Sequence, residues 1–322
     1  MKNKSLKILG IVGILFTFTG CFNSLKNNFS NQSDSSNTLK EEYVIHYTLS
    51  NDKKSYYVST IEIKESVSKV VIPSTYKDLP VVEIAEGAFS QCNNLVYIDL
   101  PDSIIKIQDN AFYKCTSLIK INIPDSVTSI GESAFSECIS LSSVQLSNNL
   151  TSIKNNTFSA CIALKNIVIP NNVLSIEDNA FLGCGSLETI ELSNCLNKIG
   201  DSAFFSCNEL KSIIFPNTLV EIGPFAFHGC SSLNNLKFPS SLKYIYGSAF
   251  DSCSSLTKLI IPSNVEIIED YAFDNCPLLI VFCEVQSKPD GWTYNWNYSK
   301  YNFQVYWQDE WKLINGVPTI KK

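Results

Sequence analysis

The chain has 322 residues and a formal net charge of −6, with 45 % hydrophobic and 17 % charged residues. This apolar content suffices for a large buried core and excludes a disordered protein. The negative net charge argues against a nucleic-acid partner. All 25 basic residues are lysines, so the chain lacks arginine, the residue that best binds phosphates and guanine edges.

Residues 1–20 have the features of an export signal. Lysines precede a largely apolar run from Ile8 to Phe18, which is too short to span a bilayer and is typical of a signal peptide. The next residues, Phe18-Thr19-Gly20-Cys21, resemble the cleavage box of bacterial lipoproteins. This resemblance implies that Cys21 is acylated and anchors the mature protein in a membrane. An ordinary secretory signal with an incidental cysteine is the alternative.

Residues 21–40 are predicted to be the acylated cysteine and a flexible tether. The segment is rich in Asn and Ser and holds few core-forming residues. A chain of this length and composition has a root-mean-square reach of about 25 Å. The tether would therefore lift the folded part of the protein off the lipid surface.

Residues 41–71 are predicted to form an N-terminal β cap. Apolar and polar residues alternate over 43–49 and again over 56–63, and turn-forming residues lie between the two runs. This pattern is typical of a β-hairpin. The segment from Ile72 to Ala88 reads as a partial copy of the repeat that follows, with a longer turn.

The dominant feature of the chain is a period of 23 residues. A phenylalanine occurs nine times at this spacing, with a cysteine three positions later and a leucine six positions later. The phenylalanines are Phe89, Phe112, Phe135, Phe158, Phe181, Phe204, Phe227, Phe250 and Phe273. Such a period means that one small unit stacks on the next, so residues 72–284 are predicted to form a repeat solenoid.

Each unit is predicted to contain one short strand. In the first complete unit, Ile98 and Leu100 alternate with polar neighbours, as in a strand with one buried face. Pro101 follows and ends the strand, because proline has no N–H to donate to a neighbouring strand. The chain then returns to the core at Ile104 and Ile107.

One complete unit, from Leu118 to Cys138, reads L-I-K-I-N-I-P-D-S-V-T-S-I-G-E-S-A-F-S-E-C. This pattern resembles the BspA-like class of leucine-rich-repeat surface proteins, and the resemblance covers roughly residues 41–311. It implies an α/β-type repeat solenoid that is mostly β and right-handed. Its parallel sheet would lie on the concave side, with short turn or helical segments on the convex side and a cap at both ends.

The cysteine column is predicted to be structural. Its nine members lie at an inward position, where a free thiol packs as a small hydrophobic group, and an odd number of cysteines cannot pair completely. A metal site needs ligands at short spacing, such as C-x-x-C, and this spacing is absent from the sequence. His228 lies close to Cys230 in sequence, but Cys230 is one of nine equivalent residues. We therefore expect no catalytic residue, no metal and no cofactor.

Residues 285–322 are predicted to be an aromatic C-terminal cap and tail. The segment contains all four tryptophans, Trp292, Trp296, Trp307 and Trp311, and it resembles the closing segment of BspA-like arrays. Burial against the last unit is the favoured interpretation. A platform on which a glycan stacks is the alternative.

The outward positions of the strands are predicted to form a mixed polar face with apolar spots, which we take as a candidate contact surface. Its residues are Tyr97, Asp99, Lys120, Asn122, Gln145, Val168, Glu191, Ile214, Lys237, Lys258 and Ile260. A merely solvated sheet face is the alternative.

The resemblance implies a lipid-anchored protein of the bacterial cell exterior that binds other proteins, in adhesion to host or neighbouring cells. It would not be an enzyme. Two other functions stay open: a lipoprotein that captures a solute or glycan through its aromatic segment, and a structural component of the envelope.

Overall fold

The computed structural model describes residues 43–321. The predicted export signal, the lipidation site Cys21 and the tether lie outside the described residues. The described part is a parallel β solenoid of about 11 turns with almost no helix. A 3-10 helix at Gln308–Glu310 is the helical element that the described residues contain.

The strands, in chain order, are β1 (Tyr43–Leu49), β2 (Tyr56–Ile63), β3 (Lys69–Val71), β4 (Thr75–Tyr76), β5 (Leu79–Ile84), β6 (Tyr97–Asp99), β7 (Lys106–Ile107), β8 (Lys120–Asn122), β9 (Ser129–Ile130), β10 (Ser143–Gln145), β11 (Ser152–Ile153), β12 (Asn166–Val168), β13 (Ser175–Ile176), β14 (Thr189–Glu191), β15 (Lys198–Ile199), β16 (Ser212–Ile214), β17 (Glu221–Ile222), β18 (Asn235–Lys237), β19 (Tyr244–Ile245), β20 (Lys258–Ile261), β21 (Ile267–Ile268), β22 (Ile280–Cys283), β23 (Gln304–Tyr306), β24 (Trp311–Ile314) and β25 (Val317–Ile320).

Each turn contributes to two stacks of parallel strands. We call the stack of β3, β6, β8, β10, β12, β14, β16, β18, β20, β22 and β23 the wide ladder. Its hydrogen-bonded groups are β3-β6-β8-β10, β12-β14, β16-β18 and β20-β22-β23. The two-residue strands from β7 to β21 form the narrow ladder, which joins the N-terminal hairpin through β5. The narrow ladder was not predicted, although its isoleucine column was identified as a second return to the core.

The phenylalanine column forms a continuous stack of rings inside the solenoid. Neighbouring ring centroids lie 5.1–5.6 Å apart, and the ring planes differ by 13° or less. The nine rings are fully buried, as are the cysteines and leucines that follow them. The backbone of this side is also bonded between turns: Phe112 N–H, for example, donates to the carbonyl of Ala134 at 2.8 Å. The core is therefore built by neighbouring turns, as the period predicts.

The predicted fold class is confirmed, and the segment that carries each phenylalanine is a turn. Two positions in a turn adopt positive φ, such as Asn110 and Lys114 at 55° and 58°. Backbone hydrogen bonds to the next turn hold these residues in place. Asn110 N–H donates to the carbonyl of Glu132, and Lys114 N–H donates to the carbonyl of Ser136. Helix is excluded in these segments because left-handed residues interrupt it.

At the N-terminal end, β1 and β2 form an antiparallel hairpin. Strand β2 then pairs in parallel with β5, so the hairpin continues the narrow ladder and covers its first turn. The ring of Tyr47 in β1 stacks on the ring of Tyr76 in β4, with ring centroids 4.1 Å apart. The hairpin is the structure that the alternating pattern predicted, and the exact limits of the cap stay a prediction.

At the C-terminal end, the turn from β20 to β22 is one residue shorter than the 23-residue period. Lys258 pairs with Ile280, 22 positions later, whereas Lys120 pairs with Ser143, 23 positions later. Glu284 therefore follows the strand where Pro262 does one turn earlier. The 23-residue period by itself would put Val285 at this position, one residue too late. Strand β23 then adds a further rung before the chain turns into the β24–β25 hairpin.

Candidate interaction face on the wide ladder

The outward side chains of the wide ladder from β6 to β20 form one face, which we call the ladder face. Inward residues such as Ile98 and Ile213 are buried, whereas their neighbours on either side are exposed. The exposed predicted contact residues are Tyr97, Asp99, Lys120, Asn122, Gln145, Val168, Glu191, Ile214, Lys237 and Lys258. The strand alternation thus places all ten on one surface, at a spacing of about 4.8 Å between rungs.

Ile260 is the exception among the predicted contact residues. It is half-buried, because its partner in the next strand, Phe282, lies over the same face. Phe282 is itself buried and packs against Tyr306 and Trp311, with ring centroids 5.6 and 5.4 Å away. The prediction that Ile260 is an open contact residue is therefore corrected: the C-terminal cap closes the ladder face at this point.

The charges on the ladder face are only partly compensated within the protein. Asp99 pairs with Lys69 at 2.8 Å. Among the residues that the structure describes, Lys120, Lys237 and Lys258 have no carboxylate oxygen within 4 Å. These three lysines therefore keep their charge available to a partner at the surface, where solvent screens it within about 10 Å.

A groove of about 530 Å³ lies on this face over the paired strands β16 and β18. It is bordered by Ile214 and Lys237, with the buried rings of Phe215 and Phe238 beneath them. Ile214 is 86 % exposed, a high value for an aliphatic side chain. Sequence reasoning identified the exposed isoleucine but not the groove, which depends on how two adjacent rungs pack.

The cysteine column has a role that sequence reasoning missed. Its thiols are buried and free of disulfides. From Cys115 to Cys276, each thiol donates a hydrogen bond of 3.0–3.3 Å to the carbonyl of the phenylalanine one turn earlier. Burial raises the pKa of the Cys138 and Cys184 thiols to about 12, so they stay protonated donors at neutral pH. Because a reactive cysteine needs a thiolate, this column is structural.

Cys230 and His228 are not brought together as a reactive couple. The Cys230 thiol donates to the Phe204 carbonyl, whereas the His228 ring stacks on Phe205. His228 Nδ1 lies 3.5 Å from a carboxylate oxygen of Asp251. Burial by itself would raise the pKa of Asp251, but the neighbouring His228 ring and hydrogen bonds from Asn275 and Ser252 hold it below its usual value.

No group of three histidine, cysteine or acidic side chains in the described range 43–321 is arranged to hold a metal ion. Within the same range, no helix has the length and apolar character needed to cross a bilayer.

The tryptophans of the C-terminal segment belong to the cap. Trp292 and Trp296 are each 1 % exposed, and Trp292 Nε1 donates to the Val265 carbonyl at 3.1 Å. Trp311 Nε1 donates to the carbonyl of Cys283 at 3.0 Å. Trp292, Trp296 and Trp311 offer no face on which a sugar could stack, since they are buried inside the protein, and Trp307 is half-buried against the core.

Comparisons with known proteins agree with this architecture. The family model described as "BspA type Leucine rich repeat region (6 copies)" matches residues 57–187 and 174–287. No curated protein matches the chain.

Three solved structures are similar to the chain. A leucine-rich cell surface protein from Faecalibacterium prausnitzii A2-165 is 22 % identical, with a TM-score of 0.46, over 85 % of this chain and 95 % of that chain. A leucine-rich-repeat protein from Bacteroides ovatus is 24 % identical, with a TM-score of 0.34, over 84 % and 100 %. The leucine-rich-repeat protein of T. pallidum is 24 % identical, with a TM-score of 0.37, over 76 % and 86 %.

The family assignment itself rests on the family model, which covers more than half of the chain, and on the repeat geometry described above. The protein belongs to the BspA-type leucine-rich-repeat family.

Proposed function

We propose that this protein is exported, is held to a membrane by a lipid on Cys21, and binds another protein through its ladder face. Its role would be adhesion to host or neighbouring cells. The ladder face carries this proposal: it is an open surface of outward side chains on a regular backbone, with polar residues and the apolar spots Val168 and Ile214. The proposed role is that of a non-enzymatic binding scaffold, and it involves no catalysed reaction.

The construction of the face supports a binding role. Adjacent rungs hydrogen-bond on several sides, and the stacked phenylalanines fill the interior between them. Side chains on such a backbone are already positioned before a partner arrives, so binding requires little ordering of the main chain. Repeat solenoids offer extended surfaces of this kind to large partners.

Adhesion is tested by competition. Purified full-length protein should reduce attachment of the producing cells to host cells or matrix proteins, and a variant with Val168→Glu and Ile214→Glu should lose this effect. The matched control carries Ile162→Glu and Leu174→Glu, because these residues are also exposed and aliphatic but lie outside the ladder face. Attachment that is unaffected by the wild-type protein would contradict the proposal.

The lipid anchor is tested separately. The wild-type protein should incorporate a labelled fatty acid and partition into the detergent phase, whereas Cys21→Ala should do neither. Equal partitioning of the two proteins would show that the anchor is not at Cys21.

Glycan binding is a second candidate function, and the exposed tyrosines of the C-terminal segment, not its tryptophans, favour it. Tyr294, Tyr298 and Tyr301 are 90, 55 and 50 % exposed, and Tyr298 packs edge-to-face on Tyr271 at 5.4 Å. Exposed aromatic rings can stack on sugars, which the buried tryptophans cannot. A glycan array probed with wild-type protein and with Tyr294→Ala decides this candidate, and no binding by the wild type removes it.

A further inference from the structure

We propose that the groove over β16 and β18 binds an extended, acidic segment of a protein partner. An aliphatic side chain of that segment would pack on Ile214, and its carboxylates would pair with Lys237 and Lys258. This inference rests on the protein-binding function proposed above and specifies the chemistry of the partner.

The groove offers an apolar anchor. Ile214 stands out at 86 % exposure, and its neighbours on the same rung and the next are the polar Ser212 and Asn235. Beneath it, Phe215 and Phe238 are 6 and 4 % exposed, with ring centroids 6.2 Å apart. Covering Ile214 with a partner's side chain would remove apolar surface from water. The loss of conformational entropy would be small, because the base of the groove is already packed.

The charges in and beside the groove indicate a negatively charged partner, since Lys237 lines the groove and Lys258 lies on the next rung, β20. In this part of the protein, lysines at other positions pair with a carboxylate one turn away: Lys198 with Glu221 at 2.9 Å, Lys211 with Glu188 at 2.7 Å and Lys243 with Glu266 at 2.7 Å. Lys237 and Lys258 have no such partner among the described residues. Two uncompensated lysines on adjacent rungs, in a chain whose net charge is −6, favour a negatively charged partner.

The lining of the groove suits an extended main chain. Its polar residues include Ser212, Asn217 and Asn235, and no carboxylate is among its lining residues. None of these three side chains makes a hydrogen bond within the described part of the chain, so they can bond to the backbone of a bound segment. Glu191 lies one rung before Ile214, so the acidic residues of the partner would lie toward β18 and β20.

The test uses two short fluorescein-labelled peptides, one in which glutamate alternates with leucine and one in which lysine replaces glutamate. Fluorescence anisotropy with the full-length protein should show binding of the acidic peptide, weakened by salt, and much weaker binding of the basic one. Lys237→Glu with Lys258→Glu should reduce the affinity for the acidic peptide by about tenfold or more. Ile214→Asp should also reduce it.

Two control variants match these changes. Lys53→Glu alters an exposed lysine in the turn between β1 and β2, and Ile162→Asp alters an exposed aliphatic residue outside the ladder face. Both should leave the affinity for the acidic peptide unchanged. Circular dichroism of each variant shows whether the solenoid is intact.

Three outcomes would overturn the inference: no binding of the acidic peptide, equal binding of the two peptides, or equal losses in the groove variants and the controls. If any of these occurs while wild-type protein still competes for cell attachment, only the assignment of the groove fails. If competition is also absent, the protein-binding function itself fails.

Discussion

The thiol of Cys138 donates a hydrogen bond to the carbonyl oxygen of Phe112, 3.1 Å away and one turn earlier. The same carbonyl also accepts the backbone N–H of Cys115, at 3.1 Å. A buried carbonyl has two lone pairs, and here a residue from each of two turns bonds to it. The cysteine thus links adjacent turns while leaving room for the stacked phenylalanine rings.

Replacing Cys138 with alanine should lower the free energy of unfolding by about 1–3 kcal/mol, because it removes a buried hydrogen bond and leaves a small cavity. The control is Cys195→Ala, since Cys195 is exposed in a polar turn. Urea denaturation followed by circular dichroism measures both. Equal stability of the two variants would show that the Cys138 thiol does not hold the turns together.

The stability of the protein should fall as the pH rises from about 9 toward 12. Burial raises the pKa of the Cys138, Cys184 and Cys230 thiols from 9.0 to about 12. In this interval the unfolded chain loses these protons while the folded chain keeps them, so unfolding becomes more favourable. Below pH 9 the buried thiols make their full contribution to the free energy of unfolding.

Urea midpoints across this pH range measure the effect. The decline should be shallower in a variant with Cys138→Ala and Cys184→Ala than in Cys195→Ala. Parallel curves for these variants would argue that the buried thiols do not cause the decline.

Phe181→Ala should cost about 3–5 kcal/mol and loosen both neighbouring turns. The ring is fully buried between those of Phe158 and Phe204, at centroid distances of 5.5 and 5.3 Å. Phe225→Ala is the control, because Phe225 is 42 % exposed and should tolerate the change. Hydrogen exchange locates the loosening, and protection that is lost only at Phe181 itself would contradict coupling between turns.

Gly131→Ala should be clearly destabilising, whereas Gly247→Ala should have little effect. A β-carbon at Gly131 would lie 2.3 Å from the backbone nitrogen of Asp109, too close for a carbon atom. At Gly247 the nearest atom would be 3.5 Å away, an ordinary contact. Thermal denaturation of both variants makes the comparison. A tolerated alanine at Gly131 would mean that the two turns can separate locally at small cost.

The same position shows where prediction from the sequence ends. Gln108 and Lys154 occupy the place of Gly131 in the adjacent turns. From the column alone, a side chain at Gly131 therefore looks acceptable. The close approach to the preceding turn recurs at Gly200 and Gly223 of the same column, and it depends on backbone distances between turns that the period does not specify.

The candidate site was predictable in outline. Strand alternation put all eleven named residues on the outward side, because side chains of a strand point alternately to its two sides. Ten of them are exposed, whereas Ile260 is half-buried, since its exposure depends on Phe282 and on the shortened turn from β20 to β22. The groove beside Ile214 could not be predicted, because its shape depends on the packing of Phe215 and Phe238 in adjacent rungs.

The sequence by itself determined the stacked architecture, the buried phenylalanine, cysteine and leucine columns and the outward face, because each follows from a spacing that repeats along the chain. Only the tertiary structure decided the second ladder, the thiol hydrogen bonds, the closure of the face by Phe282 and the pairing of the lysines. These features depend on distances between atoms of different turns. Such distances are set when the turns pack together, and no single unit of the sequence contains them.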